Sequence, residues 1–342
     1  MNLKVLNDTA RALVAPGKGI LAADESTGTI EKRFKAIGVE NTEPNRRDYR
    51  ELMFSAPGVE KYISGVIQYD ETARQKGAKG GMLHEILTKR GIIPGIKVDK
   101  GTIAMPLSPD EKVTEGLDGL GKRLDEYKTL GCRFAKWRAV ITIGNGIPTE
   151  ACLRKNASLL AHYAAICVDK DVVPIVEPEV LMDGDHGLER CFEVTEHTLR
   201  LVFAALHHHA VPLEGILLKP NMVIAGDKSR QQADVERVAA ETLRCFRRTV
   251  PAAVPGIVFL SGGQSDEVAS AHLSAMNRMG PNPWPLSFSY GRALQHAPQH
   301  AWKGQAGNVA AAQKAFLHRA RMNGAAALGK YTAAMEKEPV AV

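Results

Sequence analysis

The sequence has no stretch of about 18 apolar residues, the length a membrane-spanning helix needs. Its start, MNLKVLNDTA, has no apolar core of the kind a secretory leader carries. Nowhere do four Lys or Arg residues follow one another, which argues against a basic nucleic-acid tail. The five cysteines, Cys132, Cys152, Cys167, Cys191 and Cys245, are odd in number and form no CxxC pair. A disulfide framework is therefore not indicated, and the reading is a reduced, cytoplasmic protein. No membrane or nucleic-acid partner is expected.

What is there is ordinary globular material: 342 residues, 44% hydrophobic and 24% charged, with a net charge of +6. The mild basic excess suits anionic small molecules without selecting one. Eight short apolar runs recur along the chain: 19–26, 62–70, 91–99, 133–141, 172–179, 215–221, 256–264 and 286–292. Most lack strict alternation, as strands covered on both faces do. Helix-like segments at 109–131, 149–171, 187–210, 231–250 and 306–324 lie among them. Strands alternating with helices, with no linker or composition break, predict an α/β fold made of one (β/α)8 TIM barrel spanning 1–342. A short N-terminal extension precedes it, and 330–342 reads as a mobile tail. The alternative, an open doubly wound sheet, would usually show GxGxxG after its first strand, and GILAADESTGT lacks it.

In a barrel the C-terminal strand ends face the active site. Those ends carry Asp24, Glu25 and Ser26; Lys97 and Asp99; Lys136 and Arg138; Glu177 and Glu179; Lys219 and Asn221; Ser261, Gly262 and Gly263; and Ser289, Tyr290, Gly291 and Arg292. Lys136 and Arg138 are two apart, as are Glu177 and Glu179, so each pair shares a strand face. Any one of these charges reads equally well as a rim residue. The whole set does not, because rim charges need not recur on so many strands. Lys219, which closes the apolar run GILLKPN, is the sharpest. An amine near other cations and partly desolvated loses its proton more readily, and the free amine attacks carbonyls to form a Schiff base. Glu177 or Glu179 on the adjacent strand can then move protons. LSGGQ and SYGR follow the last two strands, where barrels commonly bind phosphate through backbone N–H groups. Arg292 adds a bidentate cation. His207–His209 end a helix and share no face, and DGDHG at 183–187 reads as a loop, so no metal is assigned.

Taken together, LAADEST, GIKVDKG, FAKWR, PIVEPE, LLKPN, FLSGGQS and FSYGRALQ resemble class I, Schiff-base fructose-bisphosphate aldolases from about Gly19 to Tyr331. The resemblance implies that Lys219 forms the Schiff base, with Glu177 as principal acid/base and Glu179 supporting it. It implies that Asp24 orients substrate hydroxyls around C4 and that Lys136 and Arg138 tune Lys219 and hold substrate. Ser261, Gly262, Gly263, Ser289, Gly291 and Arg292 would hold the C1 phosphate. Ser26, Arg33, Arg46 and Lys97 would lie toward the C6 phosphate. It also implies a homotetramer that needs no cofactor or metal and acts in glycolysis and gluconeogenesis. Many animal members end in a tyrosine that reaches the active site, whereas this chain ends PVAV and its last tyrosine is Tyr331. On the residues alone, a phosphate-binding barrel without turnover and a metal-dependent aldolase remain as alternatives.

Overall fold

The structure is a computed structural model that describes residues 1–78 and 80–338. Ten strands form: β1 (Gly19–Ala23), β2 (Ile63–Gln68), β3 (Ile93–Lys97), β4 (Thr102–Met105), β5 (Ser108–Thr114), β6 (Phe134–Ile141), β7 (Val173–Val180), β8 (Leu217–Leu218), β9 (Ile257–Phe259) and β10 (Leu286–Tyr290). Eight of them close into a parallel barrel in the order β1-β10-β9-β8-β7-β6-β3-β2. Each of the eight apolar runs supplies one of these strands, and helices cover the outside. The (β/α)8 expectation holds. No described helix is long and apolar enough to cross a membrane.

The helix Leu3–Leu13 packs Leu6, Ala10 and Leu13 against the N-terminal end of the barrel. The Ser64 hydroxyl donates to the Leu13 carbonyl at 2.6 Å, which ties that helix to β2. The five long helix-like segments are helices over Leu120–Thr129, Glu150–Asp169, Leu188–His208, Val235–Thr249 and Val309–Ala327.

One expectation fails. Residues 109–119 are not helical: β4 and β5 pair as an antiparallel hairpin, with Ile103 opposite Val113 and Thr102 opposite Thr114. Pro109, Asp110 and Glu111 imitate a helix start, but Glu111 is buried. It accepts from the Thr149 N–H (2.7 Å) and the Thr149 hydroxyl (2.6 Å), so its partner is another helix's cap. The described part of the tail has partners of its own. Glu336 binds Arg319 (2.5 Å) and His318 (2.7 Å) and accepts from the Tyr331 hydroxyl (3.0 Å), which docks the chain through Glu338 on the helix Val309–Ala327. The remaining tail residues, 339–342, lie outside the described residues.

The alternation of β6 shows how the barrel aims its side chains. Trp137 points outward and stacks on Tyr163 of the helix Glu150–Asp169 at 5.6 Å between ring centroids. Lys136 and Arg138 therefore point inward. At the start of the same strand, Phe134 fills the lower barrel over two glycines. A Cβ on Gly95 would sit 2.3 Å from the Phe134 ring, and one on Gly65 would sit 2.5 Å from Leu13 and 3.0 Å from Phe134. Gly95→Ala should lower the unfolding free energy by about 2 kcal/mol, as overpacking does. Urea titration tests this, and a wild-type midpoint would contradict the seating of Phe134.

Candidate active site

At the C-terminal end of the barrel lies a cavity of about 440 Å³. Strand geometry explains its lining. Lys136, Arg138, Glu177 and Glu179 all reach it, as their spacing of two predicts. Arg138 lies opposite Glu177 in the β6–β7 register, and Lys97 lies opposite Lys136 in β3–β6.

The charges inside alternate in sign. The Lys136 ammonium contacts Asp24 at 2.8 Å, Glu177 at 3.3 Å and Asp99 at 3.8 Å. Lys219 contacts the other Glu177 oxygen at 3.1 Å, so this one carboxylate bridges two amines. Arg138 pairs with Glu179, and Lys97 with Asp99 at 2.6 Å. Lys136, Glu177 and Lys219 are all at least 95% buried. Burial opposes charge on Lys136, but Asp24, Glu177 and Asp99 outweigh it and hold its pKa well above the usual lysine range. Burial likewise opposes charge on Asp24, yet Lys136, Lys219 and Lys97 keep its carboxyl well below the usual range. Both groups stay ionised at neutral pH.

Lys219 follows directly on the two-residue strand β8 and is held there by its backbone. Its N–H donates to the Val176 carbonyl at 2.8 Å. Asn221, two residues on, accepts from Val180 N–H at 3.1 Å and donates to the Thr195 hydroxyl at 3.1 Å. The strand end cannot swing, so the amine is aimed.

The glycine loop after β9 also lines the cavity. Gly262 and Gly263 have φ of +54° and +89°, which side chains adopt only at a cost. Ser289 is buried, and its hydroxyl has no hydrogen-bond partner among the described residues. Gly291 caps the helix Arg292–Trp302, whose N-terminal N–H groups and positive dipole end favour negative charge.

Every site residue named from sequence lines this cavity except Arg46. Arg46 instead forms a bidentate pair with Glu71, at 2.8 and 2.6 Å. Sequence reasoning missed Ala22, Thr29, Leu181, Met182, Asp183, Asp227 and Leu260 in the lining, and listed Glu25 at a strand end without assigning it to the site. Thr29 was findable: it lies one turn after Ser26, and their hydroxyls are 3.1 Å apart. Asp227 had no local signal, since tertiary bonds bring it there: its N–H donates to the Met182 carbonyl (2.9 Å) and its carboxylate accepts from Gly184 N–H (2.9 Å). Among the described residues, no group of three or more His, Cys, Asp or Glu side chains is placed to hold a metal.

Residues 5–341 match the family model for class-I fructose-bisphosphate aldolase. The chain belongs to that family. A probable fructose-bisphosphate aldolase class 1 of Xanthomonas campestris is 57% identical to this aldolase-family chain over 332 residues, covering 97% of it and 99% of the relative. A cytosolic fructose-bisphosphate aldolase of Arabidopsis thaliana is 55% identical, covering 92% of this chain and 81% of the relative. Among solved structures, the Plasmodium falciparum aldolase, crystallised with TRAP and a small-molecule inhibitor, superposes with a TM-score of 0.95 at 51% identity, covering 96% of each chain.

A buried histidine is linked to the loop after β9. His272 donates from Nδ1 to the Gln264 amide oxygen at 2.6 Å, and Gln264 in turn donates to the Ser261 carbonyl at 3.0 Å. Burial pulls the His272 pKa down from 6.5 to about 4. Between those values the unfolded chain binds a proton that the folded chain refuses. The stability this group contributes is therefore full above pH 6.5 and is lost as pH falls to about 4, by about 3 kcal/mol. Urea titrations across this range should show a steeper loss for wild type than for His272→Gln. Parallel curves would refute a neutral buried His272.

Proposed function

We propose that the chain, acting as one barrel domain over 1–342, reversibly cleaves fructose 1,6-bisphosphate to dihydroxyacetone phosphate and glyceraldehyde 3-phosphate through a Schiff base on Lys219. The observation that carries this reading is the buried Lys219–Glu177–Lys136 cluster, with a carboxylate bridging two amines.

Lys219 passes a proton to Glu177 across their 3.1 Å contact and attacks C2 of the open-chain ketose as a free amine. Glu177 returns a proton to the C2 hydroxyl, which leaves as water, and an iminium remains. A carboxylate takes the C4 hydroxyl proton, and the C3–C4 bond breaks. Its electron pair moves into the iminium and makes an enamine, while C4 becomes the aldehyde carbon of glyceraldehyde 3-phosphate. Protonation at C3 and hydrolysis of the regenerated iminium release dihydroxyacetone phosphate and restore Lys219. Glu177 is the principal acid/base, with Glu179 in support, and Asp24 orients the hydroxyls around C4. Lys136 stays charged throughout and stabilises carboxylates rather than reacting. Ser261, Gly262, Gly263, Ser289, Gly291 and Arg292 take the C1 phosphate. Ser26, Arg33, Lys97 and Arg138 hold the remainder of the substrate. Arg46 has no place in this scheme. The cytoplasm, glycolysis and gluconeogenesis, and a homotetrameric assembly complete the reading by family likeness.

Borohydride added with dihydroxyacetone phosphate should fix a covalent adduct on Lys219, read by peptide mass. Lys219→Met should lose at least about 10³-fold in kcat, and EDTA should change nothing. Intact activity with no adduct, or an adduct on another lysine, would sink the mechanism. Binding of the sugar phosphate without cleavage would favour a non-catalytic barrel.

A further inference from the structure

Arg46 is the far end of a charged chain whose near end is in the cavity. From the cavity outward it runs Arg33, Glu25, Arg50, Glu71, Arg46, with signs alternating. Arg33 lines the cavity with its side chain about one-quarter exposed, and one of its terminal nitrogens pairs with Glu25 Oε1. Its other terminal nitrogen lies beside the Gly291 turn.

Glu25 is held from behind. The Gln295 amide donates to Glu25 Oε1 at 2.7 Å and to the Ala22 carbonyl at 2.6 Å. The Tyr49 hydroxyl donates to the Gln295 oxygen at 3.1 Å, which turns the NH2 group toward Glu25. Arg50, 1% exposed, donates to the Glu25 carbonyl at 2.8 Å and keeps its charge 3.9 Å from the Glu25 carboxylate. Glu25 Oε2 is buried with no hydrogen-bond partner. Burying such a set costs more than an apolar packing of the same volume, so stability does not account for it. What the set accomplishes is to fix one partly exposed guanidinium. A flexible Arg would lose rotamer freedom each time it met an anion, and one already held loses little.

We propose that Glu25 is a positioning residue that holds Arg33 ready for the substrate's phosphate, and that Gln295 and Arg50 hold Glu25. This rests on the aldolase reading above. Glu25 acts through Arg33, so its effect belongs to binding rather than to the bond-breaking step.

The test is a double-mutant cycle on steady-state cleavage of fructose 1,6-bisphosphate. Glu25→Gln should raise KM about tenfold with a change in kcat of less than about threefold. In an Arg33→Gln background, the same substitution should raise KM by less than about twofold, because the group it positions is gone. If Glu25→Gln does not fold, Gln295→Met decides instead, since it removes one bond to Glu25 and keeps the charge. It should raise KM about threefold, again only while Arg33 is present. A wild-type KM in the variant that folds, an equal rise with and without Arg33, or a loss confined to kcat would each overturn the proposal. Wild-type protein that does not cleave the bisphosphate would overturn the aldolase reading instead, and the two failures are thus distinguishable.

Discussion

A single buried ammonium, that of Lys136, touches carboxylates that arrive from three separate strand ends. Asp24 follows β1, Asp99 follows β3 and Glu177 sits within β7. Without that cation, three acids would face one another in a poorly hydrated barrel mouth, and such groups protonate rather than stay charged. With it, Asp24 remains ionised, and Glu177 keeps one oxygen on Lys136 and the other free for Lys219. The arrangement is costly in stability, because desolvating charges is only partly repaid by their attraction. Its persistence at the place where strand ends converge is what marks the site as chemical rather than structural.

The barrel makes this possible through alternation. On β6, Trp137 goes outward to stack on Tyr163, and this commits Lys136 and Arg138 to the interior. On β7, Glu177 and Glu179 face the same interior from the neighbouring strand. Charge pairs thus meet across adjacent strands at fixed register, and no loop needs to close to assemble them. Where a loop does contribute, glycine sets its path: the positive φ of Gly262 and Gly263 turns the chain after β9 toward the cavity.

The sequence was readable where side-chain direction follows from the backbone period. All eight barrel strands, and the inward aim of Lys136, Arg138, Glu177, Glu179 and Lys219, come from apolar runs that end in charge. It misled where a local signal had a distant partner. Pro109-Asp110-Glu111 looks like the first turn of a helix, yet Glu111 caps Thr149 some forty residues on. Arg46 looks like a phosphate ligand, but Glu71 takes its guanidinium. The sequence tail carries no apolar period, and its described part is bound through Glu336 to Arg319, His318 and Tyr331. Each of these outcomes is decided by one ion pair or cap between residues far apart in the chain, and no local pattern encodes such a partner.

The same contrast explains why Lys219 was easier to find than the residues that support it. A reactive amine has to sit at a strand end, and strand ends are visible. The groups that hold it there are scattered: Val176 fixes its backbone, and Asn221 reaches both Val180 and Thr195. Because β8 is only two residues long, ladder hydrogen bonds alone would leave its end free to fray. Asn221 supplies what the short strand lacks, by bonding one neighbouring strand and one covering helix at once. The aim of the Lys219 amine therefore depends on an amide side chain whose bonds go to Val180, Thr195 and Met222. A change at Asn221 would disturb Lys219 through the backbone and leave every charge in the cavity in place.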